Sequence, residues 1–292
     1  MTNLPAPMTL AEYREQMITI PAQKSLFKIR EKGFKIGRTP ITVGMWQEYA
    51  KSTNNKMPDL PNPRSLNGYK YEINDMAKMI VKDGFDVAMK QPLFKSVTVD
   101  NSKSYDSVWK NGWDAIRNHP IVNITWDDCK SYADWAELFM PTVRQWEFAA
   151  RGGLRNKIYP WGNDEPSTQL WWEPMSQWVG TAPVDRTFCV CINSYGIVDI
   201  VGNVWQWCDD YESLDAERSR ISFDIEFFKG SLTHDRNSNE RIKYRSIRGG
   251  CWYTDNYQKH FLRVNNQVIT FYHSCSPIQK MESIGVRLCS PL

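Results

Sequence analysis

Seven cysteines, at 129, 189, 191, 208, 251, 275 and 289, are the side chains of this 292-residue chain best suited to metal binding or nucleophilic chemistry. Cys189 and Cys191 form the single close pair. With one residue between them and no second pair at zinc spacing, they do not predict a structural zinc site. The first residues, MTNLPAPMTLAEYREQM, lack a basic start followed by an apolar run, so the odd cysteine count is read as reduced thiols in a non-exported protein. The four histidines, His119, His234, His260 and His273, lie far apart. There is no G-x-S-x-G elbow for a serine hydrolase and no glycine loop of the phosphate-cradling kind.

Two other stretches concentrate functional groups. YGIVDIVGNVWQWCDDY, residues 195–211, sets acids, an amide pair and two tryptophans close together. Residues 252–276, WYTDNYQKHFLRVNNQVITFYHSCS, mix Trp, Tyr, Asn, His and Ser/Thr. Aromatic side chains bring contact area at low entropic cost and small polar ones bring adaptable hydrogen bonds, the chemistry of a recognition surface.

The elements that must position these groups are sparse. Helical spacing is clear at 42–53, 125–139 and 142–153, each opened by a threonine suited to N-capping (Thr42, Thr125, Thr142). KSLFKIREKGFKIGRTPIT reads as a hairpin, and YRSIRGGCWY and SIGVRLC alternate as strands do. Residues 52–118 lack sustained periodicity and read as an insertion, and 212–243 as a charged surface excursion. Thirteen tryptophans can hold together a fold poor in regular structure. Together these features predict an α+β domain dominated by irregular structure.

Charge sets further bounds. The 36 basic and 33 acidic residues are interspersed, which leaves no footprint for nucleic acid. No apolar run approaches the roughly 18 residues of a membrane span, so no membrane insertion is expected.

Eight blocks, in order, resemble the formylglycine-generating enzyme or sulfatase-modifying factor family: GRTPITVGMWQEYA (37–50), HPIVNITWDDCKSYADWA (119–136), MPTVRQWEFAARGG (140–153), YPWGND (159–164), GTAPVD (180–185), YGIVDIVGNVWQWCDDY (195–211), RSIRGGCW (245–252) and IGVRL (284–288). The resemblance implies an α+β fold of the C-type lectin-like kind. It makes residues 1–292 one domain, with the insertion at 52–118 and a C-terminal ligand-binding segment at 251–284. In that scaffold Gly249 and Gly250 are expected at positive φ, and Trp161 and Trp205 as core pillars.

The same resemblance bears on cofactors. Family enzymes hold copper with two cysteines, and the matching positions are Thr254 and Lys259, neither of which can supply a thiolate. No copper is therefore expected. Related sulfoxide synthases hold iron through histidines on an additional helical domain, for which this chain has no His-x-x-x-His pattern, so no iron is expected either. A structural calcium is implied in DIVGNVWQ, held by the Asp199 carboxylate, the Gly202 and Val204 carbonyls and the Gln206 amide oxygen.

With the copper positions replaced, the resemblance extends to the non-catalytic variable proteins of diversity-generating retroelements, some of them phage receptor-binding proteins. It implies a non-enzymatic protein that binds a protein or cell-surface ligand through Tyr253, Thr254, Asp255, Asn256, Tyr257, His260, Tyr272 and His273, inside a bacterial cytoplasm or on a phage virion. Most side chains of 253–276 are ones that randomised Asn codons can give; Gln258, Lys259, Gln267 and the run QKME at 279–282 are not. A fixed binding segment stays open beside a diversified one. The alternatives are a metal-dependent oxidoreductase with a nonstandard site that uses Cys251 or another cysteine such as Cys275, and a structural component assembling through 52–118.

Overall fold

Thr42, Thr125 and Thr142 each hold an extended backbone and accept a hydrogen bond from the N–H three residues on, and behind each a helix begins. The computed structural model describes residues 8–24, 30–61, 109–154, 157–172, 180–187, 190–211, 244–254 and 273–292. In chain order these carry α1 (Leu10–Glu15), β1 (Ile18–Ile20), β2 (Gln23–Lys24), β3 (Arg30–Glu31), β4 (Phe34–Ile36), α2 (Val43–Thr53), a 3-10 helix (Trp109–Ile116), α3 (Trp126–Trp135), α4 (Val143–Arg151), β5 (Trp205–Tyr211), β6 (Arg245–Arg248), β7 (His273–Cys275), β8 (Ile284–Gly285) and β9 (Cys289–Pro291).

The three expected helices are present with the expected caps, and α3 and α4 add a reciprocal bond from the N3 side chain, Asp128 or Gln145, to the cap backbone. Helix α3 stops at Trp135, short of the predicted 139, because Glu137 turns to a φ of 49° and Leu138 donates back to the Ala133 carbonyl. Gly152, in the left-handed conformation, ends α4 as predicted. Helix α1 was not predicted; Thr9 and Glu12 make its capping box.

The described strands form a three-stranded antiparallel sheet β1-β4-β9, the two-stranded pair β2-β3, and a four-stranded sheet β7-β6-β5-β8 in which only β5 and β8 run parallel. The stretch expected to form a hairpin, 24–42, holds β3 and β4, which do not pair with each other: β3 pairs with β2, while β4 joins β1 on one side and β9, near the C-terminus, on the other.

Aromatic rings pack these short elements together. Trp46 of α2 stacks on Tyr132 of α3 at 4.8 Å between centroids, and Tyr49 meets Tyr132 edge-on at 5.2 Å. Trp146 and Trp207 are wholly buried, and Trp205 is buried as well. Trp161 is only partly buried, stacked on Tyr159.

The described flanks of the expected insertion, 52–118, are tied to the scaffold. Trp113 Nε1 donates to the Pro58 carbonyl at 3.2 Å, and Asn123 Nδ2 to the Asp59 carbonyl at 3.0 Å. Residues 62–108 lie outside the described residues, as do 212–243. No helix among the described residues is long and apolar enough to cross a membrane.

Candidate functional site

The loop that leads into β5 is built from left-handed turns. Asp199 and Asn203 have φ of 50° and 60°, and Gly202 lies between them at 76°. At Gly202 a Cβ would stand 2.7 Å from the Trp171 carbonyl oxygen, so a side chain is excluded there on both counts. Asn203 locks the loop to the GTAPVD block: its Oδ1 accepts the Ala182 N–H at 2.9 Å and its Nδ2 donates to the Ala182 carbonyl at 3.0 Å.

Two arginines face this loop. Arg186 donates from Nη1 and Nη2 to the two carboxylate oxygens of Asp199, at 2.6 and 2.8 Å, and also from Nη1 to the Pro183 carbonyl at 2.8 Å. Asn203 Nδ2 adds a bond to Asp199 Oδ2 at 3.0 Å. Arg287 donates from Nε to Gln206 Oε1 at 3.0 Å, from Nη1 to the Gly37 carbonyl at 2.7 Å, and from Nη2 to the carbonyls of Val198 and Asp199 at 2.7 and 3.0 Å. Burial lowers the Arg287 pKa to about 10, which leaves it charged at neutral pH.

Gln206 completes the network, its Oε1 accepting the Trp146 indole N–H at 3.0 Å and its Nε2 donating to the carbonyls of Asp199 and Ile200 at 3.0 and 3.1 Å. These contacts bear directly on the calcium implied for Asp199, Gly202, Val204 and Gln206. A calcium ion needs about six to eight oxygen donors at close range. Here both Asp199 oxygens and the Gln206 oxygen already accept from cationic or N–H donors, and the Gln206 amide nitrogen points at loop carbonyls. The residues as placed do not fit the ion. Among the described residues no group of three or more His, Cys, Asp or Glu side chains is arranged to hold a metal.

The second part of the site begins where β6 ends. Gly249 and Gly250, at φ of 104° and 68°, turn the chain out of the sheet as expected. Cys251 follows, fully buried, its thiol pushed up to about 12 by burial. Thr254, expected among the ligand contacts, is instead fully buried. Its Oγ1 accepts the Cys251 N–H at 2.9 Å and its hydroxyl lies 3.8 Å from the Cys251 sulfur, closing a turn. It therefore presents no surface to a ligand. Tyr253 is half-buried, accepts the Ser283 hydroxyl at 3.2 Å and meets Trp252 edge-on at 5.1 Å. Asp255, Asn256, Tyr257, Lys259, His260 and Tyr272 lie outside the described residues. His273 opens β7, its backbone paired with Ile247 of β6.

The sequence reading thus placed Asp199 and Gln206 in one cluster, which the structure does bring together, but missed Arg186 and Arg287. One signal was available: a lone arginine in the apolar run IGVRL must find partners if that run is buried.

A family model for the sulfatase-modifying factor enzyme 1-like domain matches residues 8–291. The formylglycine-generating enzyme of Thermomonospora curvata is 40% identical over 109 residues, 34% of this chain and 35% of its own. The inactive C-alpha-formylglycine-generating enzyme 2 of Bos taurus is 38% identical over 108 residues, 34% of this chain and 35% of its own. The chain thus spans about a third of the length of these relatives. PvdO from Pseudomonas aeruginosa superposes with a TM-score of 0.54 at 18% identity, over 94% of each chain. Treponema denticola variable protein 1 gives 0.51 at 16%, over 94% of this chain and 95% of its own. The fold is the α+β, C-type lectin-like fold of the formylglycine-generating type. Because the family model runs through nearly all of it, from the turn before α1 to the last residue of β9, the chain belongs to the sulfatase-modifying factor enzyme 1-like family.

Proposed function

We propose that this protein is a non-enzymatic member of its family, which binds a protein or cell-surface ligand through the segment joining β6 to β7. The observation that carries this reading is Thr254. It stands where the resemblance calls for a copper-binding cysteine, and its hydroxyl is spent inside the Cys251 turn. The neighbouring thiol, Cys251, is buried and neutral at working pH, which argues against the alternative of an oxidoreductase built on it. The relative from Bos taurus is likewise named as inactive.

The scaffold around the segment supports display. Strands β6 and β7 pair antiparallel at Arg245–Cys275, Ser246–Ser274 and Ile247–His273, so both ends of the connection are held by the sheet. A segment anchored at both ends by paired strands is a place where side chains can change at little expense to the fold. Residues 255–272 carry Tyr257, His260 and Tyr272 among other polar and aromatic groups suited to contact.

The test joins binding to stability. The full chain and a Tyr257→Ser, His260→Ser, Tyr272→Ser variant are screened on arrays of cell-surface glycans and surface proteins, and their melting temperatures compared. Specific binding lost in the variant at an unchanged melting temperature supports the reading. Copper-dependent oxygen consumption by the wild-type chain with a cysteine-containing peptide would overturn it. Sequencing the coding region across isolates separates a diversified segment, with changes concentrated at codons 255–272, from a fixed one.

A further inference from the structure

We infer that the Arg186 guanidinium is the built-in cation of the loop before β5, standing in for the calcium that the family resemblance implies, so that this fold closes without a metal.

Charge and geometry both point this way. Arg186 and Asp199 are wholly buried, with side-chain exposures of 1% and 0%. A buried carboxylate needs a partner of opposite charge and donors for its lone pairs. Arg186 supplies both through a two-point fork, at 2.6 and 2.8 Å, and Asn203 supplies a third donor. The arginine is itself fixed by the Pro183 carbonyl and lies over the Trp171 ring at 5.8 Å.

Gln206 makes the second half of the replacement. The implied ion would take the Gln206 side-chain oxygen, whereas here that oxygen accepts from Arg287 and Trp146 and the Nε2 of the same amide donates to the Asp199 and Ile200 carbonyls of the loop. A glutamate at this position could not do this, because a carboxylate has no donor. Asp199 paired with Arg186, and Gln206 donating to the loop, are thus complementary: one supplies the positive charge and the other satisfies the carbonyls.

Thermal unfolding of the full chain is measured in EDTA and in calcium at about 1 mM, the weak end of calcium-module affinities. The same melting temperature in both is expected. A rise with calcium reversed by EDTA would overturn the inference. A double-mutant cycle with Arg186→Met and Asp199→Asn gives an independent readout. Each single change should lower the melting temperature, and the double change should lower it by clearly less than the sum; additive losses would also overturn it. If Arg186→Met does not fold, the wild-type comparison still decides. Neither readout involves the ligand of the β6–β7 segment, so either proposal can fail alone.

Discussion

Gln206 Oε1 accepts the Nε–H of Arg287 at 3.0 Å, in a place where both side chains are sealed from solvent. Arg287 also reaches three backbone carbonyls, those of Gly37, Val198 and Asp199, and so ties the chain just after β4, the loop before β5 and the run after β8 into one joint. It is a polar fastening across segments distant in sequence, in a domain whose described regular elements are short.

Arg287→Met should therefore unfold far more readily than the wild type. It would take a charged donor from four buried acceptors, of which Gln206 Oε1 and the Asp199 carbonyl keep a second donor, and breaking a buried charged network of this kind costs on the order of 3–5 kcal/mol. Arg287→Lys keeps the charge but has no planar fork, and should recover only part of the loss. Urea unfolding of the three proteins, compared by midpoint at constant slope, checks both statements.

Gly249 is the second sensitive point. Its φ of 104° disfavours any side chain, and a Cβ there would stand 2.9 Å from the Ile200 carbonyl oxygen and 3.3 Å from the Trp146 ring. Gly249→Ala should lower stability by roughly 1–3 kcal/mol through backbone strain alone. The change is expected in the unfolding rate or midpoint with the purified chain; an alanine variant as stable as wild type would show that the turn can relax.

What the sequence revealed of this arrangement was the local part. The caps at Thr42, Thr125 and Thr142 and the turn at Gly249–Gly250 depend on residues within a few positions of one another, and each stands where expected. The joining of β4 to both β1 and β9 was not legible, because a three-residue strand of ordinary composition carries no mark of a partner some 250 residues away. The same limit hid the arginines. Asp199 and Gln206 were expected as metal ligands because the family resemblance implies a calcium there, while the cations that engage their oxygens come from residues 186 and 287. Thr254 shows the converse: its polar side chain suggested contact with a ligand, yet it folds back on a neighbour three residues away.

His119 should make the protein sensitive to acid. It is buried, with Nδ1 at 3.1 Å from the Thr181 hydroxyl oxygen, and burial together with the Arg186 charge lowers its pKa to about 3. In the unfolded chain the imidazole takes up a proton near pH 6.5, whereas in the folded chain it stays neutral down to about 3. The unfolded state thus binds more protons in that window. Stability is complete above about pH 6.5 and falls as pH drops toward 3, by at most about 1.4 kcal/mol per pH unit from this group. His119→Gln should have a shallower acid slope between those limits, measured by urea midpoints at a series of pH values.

The thiols offer a test that separates a binding scaffold from a redox centre. Burial raises the pKa of Cys191 and Cys251 to about 12, and it pushes Cys129, Cys208 and Cys289 upward as well. A thiol in that range carries almost no thiolate at pH 8, and the thiolate is the form that attacks an alkylating agent or binds copper. Native protein treated with iodoacetamide at that pH should leave all five unlabelled in peptide mass spectra, and the same protein in denaturant should label them all. Labelling of Cys251 in the folded protein should stay slow through neutral pH, since burial restricts access and leaves little thiolate. If Cys251 labels quickly in the folded protein, with a rate that climbs through neutral pH, then its thiolate is both accessible and stabilised. The non-enzymatic reading of the Cys251–Thr254 turn would then have to give way to catalysis.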